Sequence, residues 1–223
     1  MKALEYLDPS IPFLKTSDSV EKGLDWLEEY KVGHIPVVHP ETNEYLGLAS
    51  EIVLLNEQGN GLKIADIPLQ YQKDIVKVDS HIYDALSIIG VTDLDVVPVV
   101  DGDSKFAGVL TSSGLLKCVA QLSAVTSHGG IVELMMNSYD YSMVEIARAV
   151  ESNGAKILSS YISNVDEAID KIKVILKLNI NDISLVVAEF QQLSYTVVAL
   201  YSDNELPDNT EDNYKHLFKY LDL

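Results

Sequence analysis

Residues 33–38 read GHIPVV, and residues 94–100 read LDVVPVV. Each is a β-branched run with a proline inside it. A proline within a strand forfeits a ladder hydrogen bond and belongs at a strand start or an edge. Finding it twice in the same setting predicts one geometry built twice. With Pro36 placed over Pro98, Val20 falls over Ile82, Leu24 over Leu86, Leu27 over Ile89, Ile35 over Val97, Val37 over Val99 and Val38 over Val100. Dropping one residue from the intervening turn sets YLGLAS (45–50) over FAGVLT (106–111). The first half of the chain is a tandem repeat.

Each copy reads as helix, strand, polar turn, strand, helix. Ser19 and Ser80 are the candidate caps of the leading helices, which turn Val20, Leu24, Leu27 and Tyr30 inward in the first copy and Ile82, Leu86 and Ile89 in the second. The turns are PETNE and DGDS, and each second strand runs into a further helix.

These residues resemble the cystathionine-beta-synthase (CBS) domain, and two copies in tandem resemble the pair called a Bateman module. The resemblance covers roughly residues 1–121, with repeat 1 at about 11–56 and repeat 2 at about 74–121. It implies a pseudo-twofold pair with clefts for adenosine-containing ligands such as AMP, ADP, ATP or S-adenosylmethionine, a regulatory role without a required cofactor, and a homodimer. The cleft-lining positions it implies are Thr16, Ile35, Pro36, Ser50, Lys77, Val97, Pro98, Thr111, Ser112 and Ser113. The family's ligand signature is Ser/Thr-x-x-Asp, a hydroxyl at a helix start with an aspartate one turn on. Here Ser50 and Thr111 keep the hydroxyl, whereas Val53 and Gly114 stand where the aspartate would be. Glu51 lies about 200° around the helix from position 53 and points elsewhere. Thr111, Ser112 and Ser113 read either as ordinary helix caps or as donors to an anion.

The pattern changes after a small-polar linker at 122–128. GGIVELMM (129–136) reads as a strand, and Ser142-Met143-Val144-Glu145 as a capping box opening a helix that ends at Asn153-Gly154. AKILSSYIS and KIKVILKLN read as strands, DISLVVAEFQQLS as a helix and YTVVALYS as a last strand. The βαββαβ order over 129–202 resembles the ferredoxin-like ACT domain, some members of which bind amino acids, and the whole architecture resembles acetoin-utilisation regulators. The corresponding effector turn would be Asn137, Asp140, Tyr141 and Ser142, with Tyr141 where that family carries glycine. Residues 203–213 form an acidic break before YKHLFKYLDL, which reads as a short docking helix. The expected fold is therefore α/β, a CBS pair followed by a ferredoxin-like domain.

The charge is −18, with 34 acids against 16 bases of which one, Arg148, is arginine. Such a surface repels phosphate backbones and anionic headgroups, so neither nucleic acid nor membrane is an expected partner. With 47% hydrophobic residues the chain can fill well-packed cores. The single cysteine, Cys118, excludes an internal disulfide and fits a reducing compartment, and the chain reads as cytoplasmic. The histidines lack metal-ligand spacing, and no nucleophile elbow or phosphate loop occurs. Asp93, Asp95, Asp101 and Asp103 are alternating turn acids that could gather a cation. The resulting expectations are a non-catalytic nucleotide sensor, an amino-acid or other small-effector sensor working through the C-terminal domain, or an assembly module without a ligand. The regulated protein partner is not legible in these residues.

Overall fold

The structure, a computed structural model, describes residues 1–166 and 170–202. The expected C-terminal helix and the acidic stretch before it lie outside the described residues. The chain divides into two compact units between Cys118 and Val119.

In the first unit, repeat 1 comprises β1 (Leu14–Lys15), α1 (Val20–Tyr30), β2 (His34–Val38), β3 (Tyr45–Ser50) and α2 (Glu51–Asn56). Repeat 2 comprises β4 (Val76–Lys77), α3 (Ile82–Val91), β5 (Val96–Val100), β6 (Phe106–Thr111) and α4 (Ser112–Leu122). Each forms a three-stranded sheet, β1-β2-β3 and β4-β5-β6. The registers match residue for residue. Pro36 pairs with Leu48 and Pro98 with Val109, and both ladders shift one step later, at Val37/Val38 and Val99/Val100.

The two prolines sit mid-strand and not at a strand start. The parallel partners β1 and β4 join only at Val37–Val38 and Val99–Val100. One flank of each proline therefore faces no strand, and its missing N–H costs no ladder bond.

Gly47 (φ +149°) and Gly108 (φ +147°) share a conformation that side chains rarely adopt, and a Cβ on Gly47 would come within 2.9 Å of the Gln70 carbonyl oxygen. This is why both copies carry glycine at the head of their second strand. Buried on α1 are Val20, Gly23 and Leu27, with Leu24 partly buried. Gly23 was not legible as an inward residue. It lets α1 approach α2, because a Cβ there would lie 2.9 Å from Leu54 Cδ1. Ser19 caps α1, accepting from Lys22 N–H, but His81 and not Ser80 caps α3, its Nδ1 accepting from Tyr83 N–H at 3.2 Å.

A pseudo-twofold axis passes between the turns. Tyr45 N–H donates to the Ser104 carbonyl (3.2 Å) and Phe106 N–H to the Asn43 carbonyl (2.9 Å), an exchange between equivalent residues of the two copies. Tyr45, Leu48, Leu94, Val96, Val100 and Val109 form a core shared by both repeats.

The chain also closes on itself. Ile64 and Ala65 donate to the Asp18 and Thr16 carbonyls of repeat 1, and Ala3 and Leu4 donate to the equivalent Ser80 and Val78 carbonyls of repeat 2. The N-terminal segment thus supplies to repeat 2 what the inter-repeat segment supplies to repeat 1.

The second unit is β7 (Ile131–Asn137), α5 (Met143–Ser152), β8 (Ile157–Asp166), β9 (Lys171–Leu178), α6 (Ser184–Gln192) and β10 (Thr196–Tyr201). Its antiparallel sheet has the order β10-β7-β9-β8, a ferredoxin-like βαββαβ fold. One sheet face carries Val132, Leu134, Val174 and Leu176 into a core closed by Ile146 and Val150 of α5 and Val187 and Phe190 of α6. Ser142 caps α5, accepting from Glu145 N–H at 3.4 Å. The reciprocal half of the expected capping box is not formed, since the Glu145 carboxylate accepts from the Tyr195 hydroxyl (3.2 Å).

Candidate functional site

In each repeat the second strand ends on a hydroxyl that caps the next helix. Ser50 Oγ accepts from Val53 N–H at 3.5 Å, and Thr111 Oγ1 from Gly114 N–H at 3.1 Å. The first helical N–H groups are also used: Glu51 donates to the Gly33 carbonyl (2.9 Å) and Ser112 to the Asp95 carbonyl (2.8 Å). Ser112 Oγ lies within hydrogen-bond reach of the Leu94 and Asp95 carbonyls (3.2 and 3.1 Å), so it ties the helix to the segment that leads into β5. Ser113 Oγ lies 3.3 Å from Thr111 Oγ1.

The N-terminal segment brings a residue to this helix start that motif reading missed. Asp8 N–H donates to the Val109 carbonyl (2.8 Å), and Thr111 Oγ1 stands 3.4 Å from Asp8 Oδ2. Asp8 Oδ1 already accepts from both the hydroxyl and the N–H of Ser10. Those Ser10 bonds chiefly hold the Asp8 carboxyl below the usual carboxylate range, against a smaller opposing effect of burial and with help from Thr111 and Lys117. A carboxylate here opposes an anion at the three hydroxyls and offers an acceptor to a ligand hydroxyl. In repeat 1 the equivalent position is the neutral Gln70, whose backbone pairs with Leu48. The signal was present in sequence: Lys2-Ala3-Leu4-Glu5 repeats as Lys63-Ile64-Ala65-Asp66, and in both the acid accepts from the lysine N–H.

Ile35, Pro36, Val97 and Pro98 are all buried. Ile35 and Val97 turn into the cores of their own repeats and present no side chain to a cleft. Thr16 and Lys77 are not equivalent positions: Lys15 and Lys77 occupy the same register, opposite Val38 and Val100. Lys77 is exposed, and the Thr16 carbonyl holds Ala65.

Across the pseudo-dyad, Asp95 accepts from Gly33 N–H and from His34, whose Nδ1 lies 2.8 Å from Oδ1. The His34 ring packs edge-on against Tyr71, with centroids 5.5 Å apart. Asp95 is thus engaged by the other repeat. Among the described residues no three His, Cys, Asp or Glu side chains are placed to share an ion.

The second unit holds an open cleft of about 610 Å³ at the start of β9 and β10, lined by Met136, Asn137, Asp140, Glu145, Lys171 and Tyr195 among others. Asn137 donates to Asp140 Oδ2 at 2.8 Å. Burial first, and then the bond to Glu145, push the Tyr195 phenol up. Lys171 makes no ion pair among the described residues. Of the four expected effector residues the cleft includes Asn137 and Asp140. Tyr141 packs against the core, and Ser142 is spent on the helix cap.

A βαββα unit repeated about a pseudo-twofold axis, with hydroxyl-capped helices at the strand ends, defines a CBS-type pair. The CBS domain family model matches residues 64–121, the stretch that contains the second repeat. Among solved structures the chain is similar to a CBS domain pair/ACT domain protein from Thermotoga maritima, with 18% identity, a TM-score of 0.50, and coverage of 54% of this chain and 98% of that one. It also matches CBSX2 in complex with AMP (26% identity, TM-score 0.46, 54% and 96% covered) and CBSX2 from Arabidopsis thaliana (24%, 0.48, 55% and 96%). The first likeness shows the fold. Among the described residues no helix is long and apolar enough to cross a membrane.

Proposed function

We propose that this chain is a non-catalytic regulatory protein whose CBS-type pair binds an adenosine-containing ligand and acts as a homodimer on a further protein. The observation that carries the reading is the Asp8–Thr111 pair. An ionised carboxylate with one lightly used oxygen, beside a hydroxyl at a helix start, is an acceptor suited to ribose hydroxyls. It supplies from the N-terminal segment the carboxylate that Gly114 does not. The ligand would act by favouring one relative arrangement of the repeats, since only differential affinity moves an equilibrium.

The test is a thermal-shift panel of AMP, ADP, ATP, S-adenosylmethionine and NADH on the full chain. A ligand present at about 100 times its Kd stabilises by roughly 2.7 kcal/mol, which a melting curve resolves. Asp8→Asn should weaken the responding ligand about tenfold or more, at ~1.5–3 kcal/mol for a charged hydrogen bond. No shift with any nucleotide at millimolar concentration sinks the reading.

The C-terminal cleft favours a second reading, in which an ACT-like domain senses an amino acid or similar small effector. Its supporting observation is the convergence of Asp140, Glu145, Lys171 and the Tyr195 hydroxyl, charges of both signs that suit a zwitterion. The same panel run with the twenty amino acids tests it. Silence in both panels leaves an assembly module.

A further inference from the structure

Asparagine is followed by glycine at two places in this chain, Asn60-Gly61 and Asn153-Gly154. Such a pair is reactive because glycine has no Cβ, so its amide nitrogen can swing against the asparagine side-chain carbonyl carbon, an approach that other residues obstruct. In the sequence the two pairs are equals. In the structure they are not.

Asn153-Gly154 closes helix α5. Gly154 N–H donates to the Glu151 carbonyl (3.1 Å) and Asn153 N–H to the Val150 carbonyl (3.2 Å). The Asn153 carboxamide is anchored as well, its Nδ2 donating to the Ala149 carbonyl at 2.8 Å. Both groups that would have to react are therefore held by the last turn of a helix. Asn60-Gly61 lies in the loop after α2, and both residues are exposed. Among the described residues Gly61 N–H has no hydrogen-bond partner. Gly61 takes φ +66°, and a Cβ placed on it would meet nothing within 4 Å, so the loop has room to turn. Asn60 Nδ2 donates to Glu57 Oε2 (3.0 Å) in an exposed contact for which water substitutes at little cost.

We infer that Asn60-Gly61 is a site of spontaneous covalent modification, at which the asparagine is converted through a cyclic imide to aspartate and isoaspartate. The Gly61 nitrogen attacks Asn60 Cγ. The N–Cγ bond forms, the Cγ–Nδ2 bond breaks, and Nδ2 leaves as ammonia with the proton that the Gly61 nitrogen gives up. Water then adds to one of the two imide carbonyl carbons and reopens the ring. Breaking the N–Cγ bond gives aspartate, and breaking the bond to the original main-chain carbonyl gives isoaspartate. Water is the sole co-reactant, and nothing is oxidised or reduced.

The change falls where repeat 1 is closed. Leu62, next along the chain, accepts Val20 N–H at the start of α1 (3.1 Å), and Ile64 and Ala65 donate to the Asp18 and Thr16 carbonyls. Either product sets a carboxylate beside Glu57 where an amide had donated to it, and like charges repel. Isoaspartate also adds a methylene to the main chain just ahead of Leu62. The segment that closes repeat 2, Ala3 and Leu4, adjoins no such pair in this sequence. Repeat 1 alone is thus loosened with age.

The test incubates the full chain at mildly alkaline pH and follows both pairs by peptide mapping and mass spectrometry. The Asn60 peptide should gain the mass difference between an amide and an acid and split into two products, of which the isoaspartyl one accepts a methyl group from an isoaspartyl methyltransferase. Asn153 should lag by about tenfold or more, a decade for the bonds that must first break. In urea sufficient to unfold the chain the two rates should converge. Asn60→Gln, which keeps the amide but enlarges the ring that must close, and Gly61→Ala should each slow the conversion at position 60 about tenfold or more. Equal rates in the folded chain, Asn153 ahead of Asn60, or conversion indifferent to both substitutions overturns the inference. Aspartate as the only product overturns the cyclic route. The isoaspartyl fraction, separated by ion exchange, should melt below the unmodified chain, and an equal melting point overturns the loosening of repeat 1.

Discussion

Asp95 holds the two repeats together through both its carboxylate oxygens, one taking Gly33 N–H and the other the His34 ring. Burial pushes this carboxyl up, but the bonds from His34 and Gly33 outweigh it and hold it below the ordinary value. A carboxyl depressed by folding adds stability above its unfolded pKa of about 3.9, and the contribution is lost as the pH falls through the lower folded value. Asp95→Asn should therefore cost about 1–2 kcal/mol at neutral pH and flatten the acid limb of the stability profile below about pH 4, as read by urea denaturation. An unaltered acid limb would show that the cross-repeat bonds carry no net energy. The sequence marked Asp95 as a turn acid and His34 as one of the histidines without metal-ligand spacing. Neither residue advertises the other, because their partnership spans 61 positions and exists only once the repeats face each other.

At the scale of elements, backbone geometry separates glycines that look alike in the sequence. Gly47 has φ +149° and a crowded Cβ position, whereas Gly90 in α3 has open space around it and no positive φ. Gly47→Ala should destabilise by roughly 1–3 kcal/mol, and Gly90→Ala should stabilise by about 0.5–1 kcal/mol. Paired melting curves check both, and equal shifts would contradict the geometry. Helix, strand and turn order were legible because periodicity and turn chemistry are local. The start of α3 was misplaced by one residue, since propensity favours serine as a cap, while the repeat register itself sets His81 opposite Ser19. The short turns at Ala3–Tyr6 and Ile64–Asp66 went unread as a repeat because too few apolar positions mark them.

For the whole molecule, two units with separate cores imply separable damage. Phe190 is fully buried in the C-terminal core, and Phe190→Ala should cost ~3–5 kcal/mol there. Nucleotide-induced stabilisation of the N-terminal unit should survive, and its loss would mean that the cleft depends on both units. By itself the sequence determined the repeat, the strand–turn–strand order that follows each leading helix, and the βαββαβ order, because each is written in residue type and spacing along a short stretch. Only the tertiary structure decided that the N-terminal segment closes on the second repeat, carrying Asp8 to Thr111, and that Asp95 crosses to His34. Those contacts join residues far apart in the chain, and their chemistry appears only when folding removes the distance between them.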